Sequence, residues 1–143
     1  MKRLFGTDGI RGAFGRQPLD RATVIALGRV LGRETADGGS RDVVAAGDTR
    51  DSTPQLAQWL ALGLAAEGAC LRWAGVLPTG AVAWLAPRLG AALGVAISAS
   101  HNPYPDNGIK FFSAQGTKLP DAWEQAVEAA VAEPPVWADS ASL

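Results

Sequence analysis

One serine stands beside the only histidine of the chain, Ser100-His101, where the apolar run LGVAIS breaks into SHNPYPDNG and turns apolar again at IKFF. Two further polar clusters embed an arginine, Arg11 in GTDGIRG and Arg50 in GDTRDS, and Lys110 closes the serine's own cluster in DNGIKFF. A hydrolase would need the histidine to take the serine's proton. Neighbours on an extended chain point to opposite sides, so His101 is poorly placed for that. The nucleophile-elbow pattern G-x-S-x-G is also absent, since Ser98 and Asn102 occupy the glycine positions. A plain polar turn accounts for SHNPYPDNG by itself, and Asn107-Gly108 is a common tight-turn pair. It does not account for three such clusters together, two with an embedded arginine, Arg11 and Arg50, and the serine's own closed by Lys110. Arginine forks, a lysine point charge and glycine-rich backbone N–H groups all suit phosphate oxygens. The set therefore favours a phosphorylated ligand or a phosphoserine. GTDGIRG has neither Walker nor dinucleotide-fingerprint spacing.

These clusters must be positioned by strands and helices, and the chain alternates the two. KRLF reads as a short first strand leading into GTDGIRG. An amphipathic stretch follows, with Ala22, Ile25, Ala26, Arg29 and Val30 at helical spacing, ended by Gly38-Gly39. DVVAAGD, 42–48, reads as a buried strand. Ser52 or Thr53 can cap a helix with Pro54 in its first turn, running to about Glu67. That helix has no charge from Ser52 through Ala66, so it is buried on most sides or meets another surface. Strands are expected at 70–74, 92–99 and 108–113, and a helix from Pro78-Thr79-Gly80 to about Leu89. The last two strands are too close for a crossover and should be antiparallel. A final helix, 121–131, carries the stripe Ala122, Trp123, Ala126, Val127, Ala130, Val131, with Asp121, Glu124 and Glu128 outside it. The order β-α-β-α-β-α-β-β-α argues for a three-layer α/β/α domain, mostly parallel with one antiparallel strand. Ligands of such sheets bind beyond the carboxyl ends of the strands, and all three clusters are expected there.

The totals bound the function classes. The 143 residues fit one domain with a real core, and 48% hydrophobic against 19% charged residues argues against disorder. A net charge of −1 gives no electrostatic reason to expect nucleic acid or an anionic membrane as partner. A single cysteine, Cys70, allows no internal disulfide, and one Cys with one His excludes the usual zinc sites. No apolar run follows the basic start and none reaches spanning length, so a cytoplasmic protein is the expectation. Residues 1–133 read as the domain and 134–143, with Pro134-Pro135, as a linker remnant.

FGTDGIRG at 5–12, GDTRDS at 47–52, PTG at 78–80, ISASHNP at 97–103 and DNGIKFF at 106–112 together resemble the α-D-phosphohexomutases, in the family's order. The wording is nearest the bacterial branch that acts on glucosamine phosphates. The resemblance implies interconversion of glucosamine 6-phosphate and glucosamine 1-phosphate through a 1,6-bisphosphate, toward UDP-N-acetylglucosamine and peptidoglycan. It implies that Ser100 carries the transferred phosphoryl group and that a phosphoserine oxygen binds Mg2+. Arg11 matches the arginine near the transferred phosphate, and Lys110 the lysine proposed as acid/base or phosphate partner. His101 and Asn102 match the phosphoserine loop; Thr7, Asp8 and Arg50 match motif positions of less defined role. Gly80 departs from the family's usual P-T-P, at a helix start. The family's D-x-D-x-D metal loop is not found among these residues, so the resemblance makes the chain a first domain, inactive alone, whose partners are the other domains, a hexosamine phosphate and its 1,6-bisphosphate. A non-catalytic sugar-phosphate or protein-binding module, with the uncharged helix in a homodimer, remains the alternative, as does glucose or mannose specificity.

Overall fold

The sheet is organised around strands buried on both faces. In a computed structural model, which describes residues 4–6, 9–99 and 103–132, five strands and four helices follow one another as β1 (Ile10–Ala13), α1 (Arg21–Glu34), β2 (Asp42–Gly47), α2 (Thr53–Ala66), β3 (Cys70–Val76), α3 (Thr79–Arg88), β4 (Leu93–Ile97), β5 (Asp106–Ser113) and α4 (Asp121–Ala132). The strand order is β1-β5-β4-β2-β3. Pairing is parallel in β4–β2–β3 and antiparallel on both sides of β5. Only β5 therefore runs against the others, and the α/β class with one antiparallel strand holds. The 134–143 linker lies outside the described residues.

Side chains of successive residues alternate across the sheet and sort the layers. Val43, Ala45, Leu93, Val95, Ile97, Ile109 and Phe111 join one core with residues of α1, α2 and α4. Val44, Ala46 and Ala96 face the other way, onto Val82 and Ala86 of α3. This double burial is why β2 and β4 read as continuous apolar runs.

The uncharged helix α2 is explained in large part by α1. Gly28 and Gly63 face each other where the two helices cross. A Cβ on Gly63 would overlap the Ile25 carbonyl and lie 2.8 Å from the Gly28 Cα. The small pair brings the backbones together, so Leu56, Leu60 and Leu64 are fully buried. Beside the crossing, Arg29 is 4% exposed and pairs with Glu67 at 3.0 Å. Arg41 donates to the Gly32 and Glu67 carbonyls at 3.0 and 2.6 Å, satisfying the C-terminal ends of both helices.

Three expectations are corrected. The first strand is Ile10–Ala13, inside and after GTDGIRG, and Leu4-Phe5 is not in the sheet. Phe5 instead donates its N–H to Glu128 at 2.7 Å and packs its ring with Phe111 and Trp123, an arrangement the local pattern did not reveal. Its cluster thus precedes a strand, and only its arginine end enters the sheet. In α4 the inward set is Trp123, Val127, Ala130 and Val131, whereas Ala122 and Ala126 are exposed. Alanines suit either face of a helix, and the larger side chains take the core. Ala22 of α1 is likewise exposed.

Candidate functional site

Strands β1, β2 and β4 all end on the same rim of the sheet, where β5 begins: Ala13 stands opposite Asp106, and Ile97 opposite Ile109. Ser98 and Ala99 carry the chain off β4 onto this rim. Ser100, His101 and Asn102, and likewise Thr7 and Asp8, lie outside the described residues, and the expectations for them rest on the sequence.

The two family cations inside the sheet share one face. Arg11 is the cross-strand partner of Gly108, and Lys110 is two residues along the same strand. Cross-strand partners and alternate residues project to one side, so the two are diagonal neighbours on the face that α3 covers lower down. Gly108 makes the approach possible: a Cβ there would lie 2.8 Å from the Ser98 carbonyl and 3.1 Å from the Arg11 Cγ. Arg11 Nη1 donates to the Ala99 carbonyl at 3.2 Å, one residue before Ser100. Lys110 runs beside Gly9, which bridges to Gly6, since a Cβ on Gly9 would lie 3.1 Å from its Cγ.

Arg50 arrives from the opposite side, off β2. Its Nε donates to Asp48 Oδ2 at 3.1 Å, and its Nη1 to the carbonyls of Pro103 and Asp106 at 2.8 and 2.9 Å. The expectation that Arg50 reaches a phosphate thus meets a guanidinium largely engaged with the protein. Residues 100–102 are flanked by two arginines, Arg11 on Ala99 and Arg50 on Pro103.

Behind Arg50 is a polar network that the sequence reading missed. Asp48 Oδ1 accepts from the Arg50 N–H at 3.1 Å and from Thr53 Oγ1 at 2.9 Å. Asn107, fully buried, donates from Nδ2 to Ser52 Oγ at 2.8 Å and Thr53 Oγ1 at 3.0 Å, and its Oδ1 accepts from the Gly108 N–H at 2.8 Å. Two expectations fail here. Ser52 and Thr53 do not cap α2 with their side chains; no side-chain cap bond is made. Asn107-Gly108 is not a turn but the second and third residues of β5. Asn is a turn residue by composition, and only its burial reveals the structural role.

Burial works to raise the Asp48 pKa. The Arg50 backbone N–H, the hydroxyls of Thr53 and Ser98 and the Arg50 guanidinium outweigh it and hold the carboxyl below its usual range. A lowered folded-state pKa gives stability that is present above the unfolded value, about pH 4, and lost as pH falls through the folded one. Asp48→Asn should therefore be less stable than the unsubstituted chain at neutral pH, with the gap closing in acid below about pH 4. Urea unfolding between neutral pH and strong acid would show it; a gap independent of pH contradicts the assignment.

Among the described residues no three of His, Cys, Asp and Glu stand together as a metal site, and no helix is long and apolar enough to cross a membrane.

Similar proteins are longer chains. The family described as phosphoglucomutase/phosphomannomutase, alpha/beta/alpha domain I, matches residues 2–135. Phosphoglucosamine mutases of Acidovorax sp. (strain JS42) and Delftia acidovorans (strain DSM 14801 / SPH-1) are each 54% identical over 143 residues, covering 99% of this chain and 32% of theirs. The crystal structure of a phosphoglucomutase/phosphomannomutase family protein from Burkholderia thailandensis superposes with a TM-score of 0.77 at 30% identity, over 92% of this chain and 30% of that one. The chain thus spans about a third of the length of the relatives it matches.

Proposed function

The chain belongs to the phosphoglucomutase/phosphomannomutase family, as its α/β/α domain I, and from that premise we propose that it is the phosphoserine-bearing domain of a cytoplasmic phosphoglucosamine mutase. In this reading Ser100 donates its phosphoryl group to a glucosamine phosphate. The 1,6-bisphosphate turns over, and the other phosphate returns to the serine. The product feeds UDP-N-acetylglucosamine and peptidoglycan synthesis.

The observation that carries the reading is the Arg11–Lys110 pair on one face, with Arg11 bonded to the carbonyl before Ser100. Charge develops on the phosphoryl oxygens and the leaving serine oxygen during transfer, and fixed cations beside a strand tip stabilise it. Lys110, the more mobile cation, suits proton transfer with the sugar hydroxyl. His101, Asn102, Thr7 and Asp8 join the site as phosphate or substrate contacts. Magnesium would supply further charge neutralisation at the phosphoserine; among the described residues no three of His, Cys, Asp and Glu stand together to hold it. The similarity to relatives named for phosphoglucosamine favours glucosamine over glucose or mannose.

The test is peptide-resolved mass spectrometry of Ser100. The chain is incubated with glucosamine 1,6-bisphosphate and magnesium, alone and with the remaining two-thirds of the Acidovorax enzyme supplied as a second polypeptide. Phosphate on Ser100 only in the second tube is the expected result, with sugar-phosphate turnover in that tube alone. No phosphate in either tube, with the two pieces shown to associate, would favour the non-catalytic module.

A further inference from the structure

We infer that Arg50 is a positioning residue, which sets the Ser100 segment by holding the main chain on its far side rather than by binding phosphate. The inference rests on the proposed role of Ser100. Ala99 lies two residues past the end of β4, and Pro103 opens the turn that leads into β5. Arg11 holds the first of these carbonyls and Arg50 the second. The same Nη1 also holds the Asp106 carbonyl, so one nitrogen draws together both ends of the Pro103–Asp106 turn. That turn is closed by the Asp106 N–H on the Pro103 carbonyl at 2.9 Å.

Arg50 is itself held from behind. Asp48 takes its Nε and its backbone N–H, and Thr53 braces Asp48. The Asp48 N–H bonds the Ile97 carbonyl at 3.1 Å, tying the anchor to the end of β4. Hydrogen bonds thus link the end of β4 through Asp48 and Arg50 to Pro103. Charge argues the same way. The Arg50 charge is opposed by an ionised carboxylate at 3.1 Å, and an approaching phosphate dianion meets that carboxylate as well. A planar guanidinium can serve a carboxylate and two carbonyls in one fixed geometry, which a lysine ammonium cannot. Small misplacements of a nucleophile cost rate steeply.

Arg50→Lys separates the two roles. On the 143-residue chain, hydrogen exchange is read at the Asp106 amide and at the Phe14 amide, which bonds the Pro105 carbonyl at 3.2 Å. Controls are the Cys70 and Ala92 amides, which bond the carbonyls of Arg41 and Asp42 at the far end of the sheet. The variant should speed the first pair by about tenfold or more and leave the controls within about threefold. In the two-polypeptide assay it should lower kcat by about tenfold or more with KM within about twofold, the mark of lost positioning. Unchanged exchange at Asp106, or a raised KM with normal kcat, would overturn the inference, the latter making Arg50 a substrate ligand. If the unsubstituted pair leaves Ser100 without phosphate, the functional reading fails instead, and the exchange result still decides whether Arg50 holds the turn.

Discussion

Glu67→Ala should destabilise the chain by about 3 kcal/mol, because it leaves the Arg29 guanidinium buried without its carboxylate. Arg29 is 4% exposed and gives Glu67 Oε2 two hydrogen bonds, at 3.2 and 3.0 Å. The figure sits at the low end for a broken buried pair because the Glu67 side chain is 18% exposed. Arg33, at 3.7 Å and half exposed, adds little. Glu67→Gln keeps an acceptor and should cost about half as much. Replacing both partners, as Arg29→Met with Glu67→Leu, should recover most of the loss, since the buried charges then disappear together. Urea unfolding of the four proteins measures this. A double variant as unstable as Glu67→Ala would mean that packing at the α1–α2 crossing, not the ion pair, sets the cost.

That pair shows what was legible along the chain. Arg29 fell on the inward stripe of its helix by spacing alone, and it is buried. Its partner lies 38 residues away, and no local pattern links them. The order of elements was readable because apolar period and Gly/Pro punctuation are local. Strand β1 was not: IRGA is four residues at a sheet edge with no alternation to see, and KRLF mimicked a strand because its leucine and phenylalanine are buried for another reason. The uncharged face of α2 announced a contact, and the glycine crossing with α1 that supplies most of it depends on tertiary packing.

The site divides in the same way. Arg11 and Lys110 were singled out as cations near glycine, and the β1–β5 register brings them to one face. Arg50 was singled out on the same grounds, yet its Nε and Nη1 lie on protein oxygens. Residue type cannot distinguish an arginine that binds ligand from one that braces a loop. Asn107 was read as a turn residue, because an asparagine before glycine has that local preference and burial is invisible to it.

Asn107→Leu, close in volume, should consequently cost about 3–5 kcal/mol, since it removes three hydrogen bonds at a site closed to water. The Gly108 N–H would lose its acceptor, and the Ser52 and Thr53 hydroxyls their donor. Asn107→Asp tests the charge next to Asp48. The Thr53 hydroxyl bridges the two positions, donating to Asp48 and accepting from Asn107. A carboxylate at 107 would face the ionised Asp48 across one hydroxyl, and the pKa of the new group would rise. A raised folded-state pKa makes the substitution most costly at neutral pH and less so as the new carboxyl protonates in mild acid. Asn107→Asp should therefore recover stability relative to the unsubstituted chain as pH falls from about 7 toward 5, whereas Asn107→Leu should show no such recovery. Unfolding midpoints at those two pH values distinguish them. Parallel behaviour of the two variants would show that Asn107 fills space, and that the hydrogen bonds joining β5 to α2 contribute little to the frame behind Ser100.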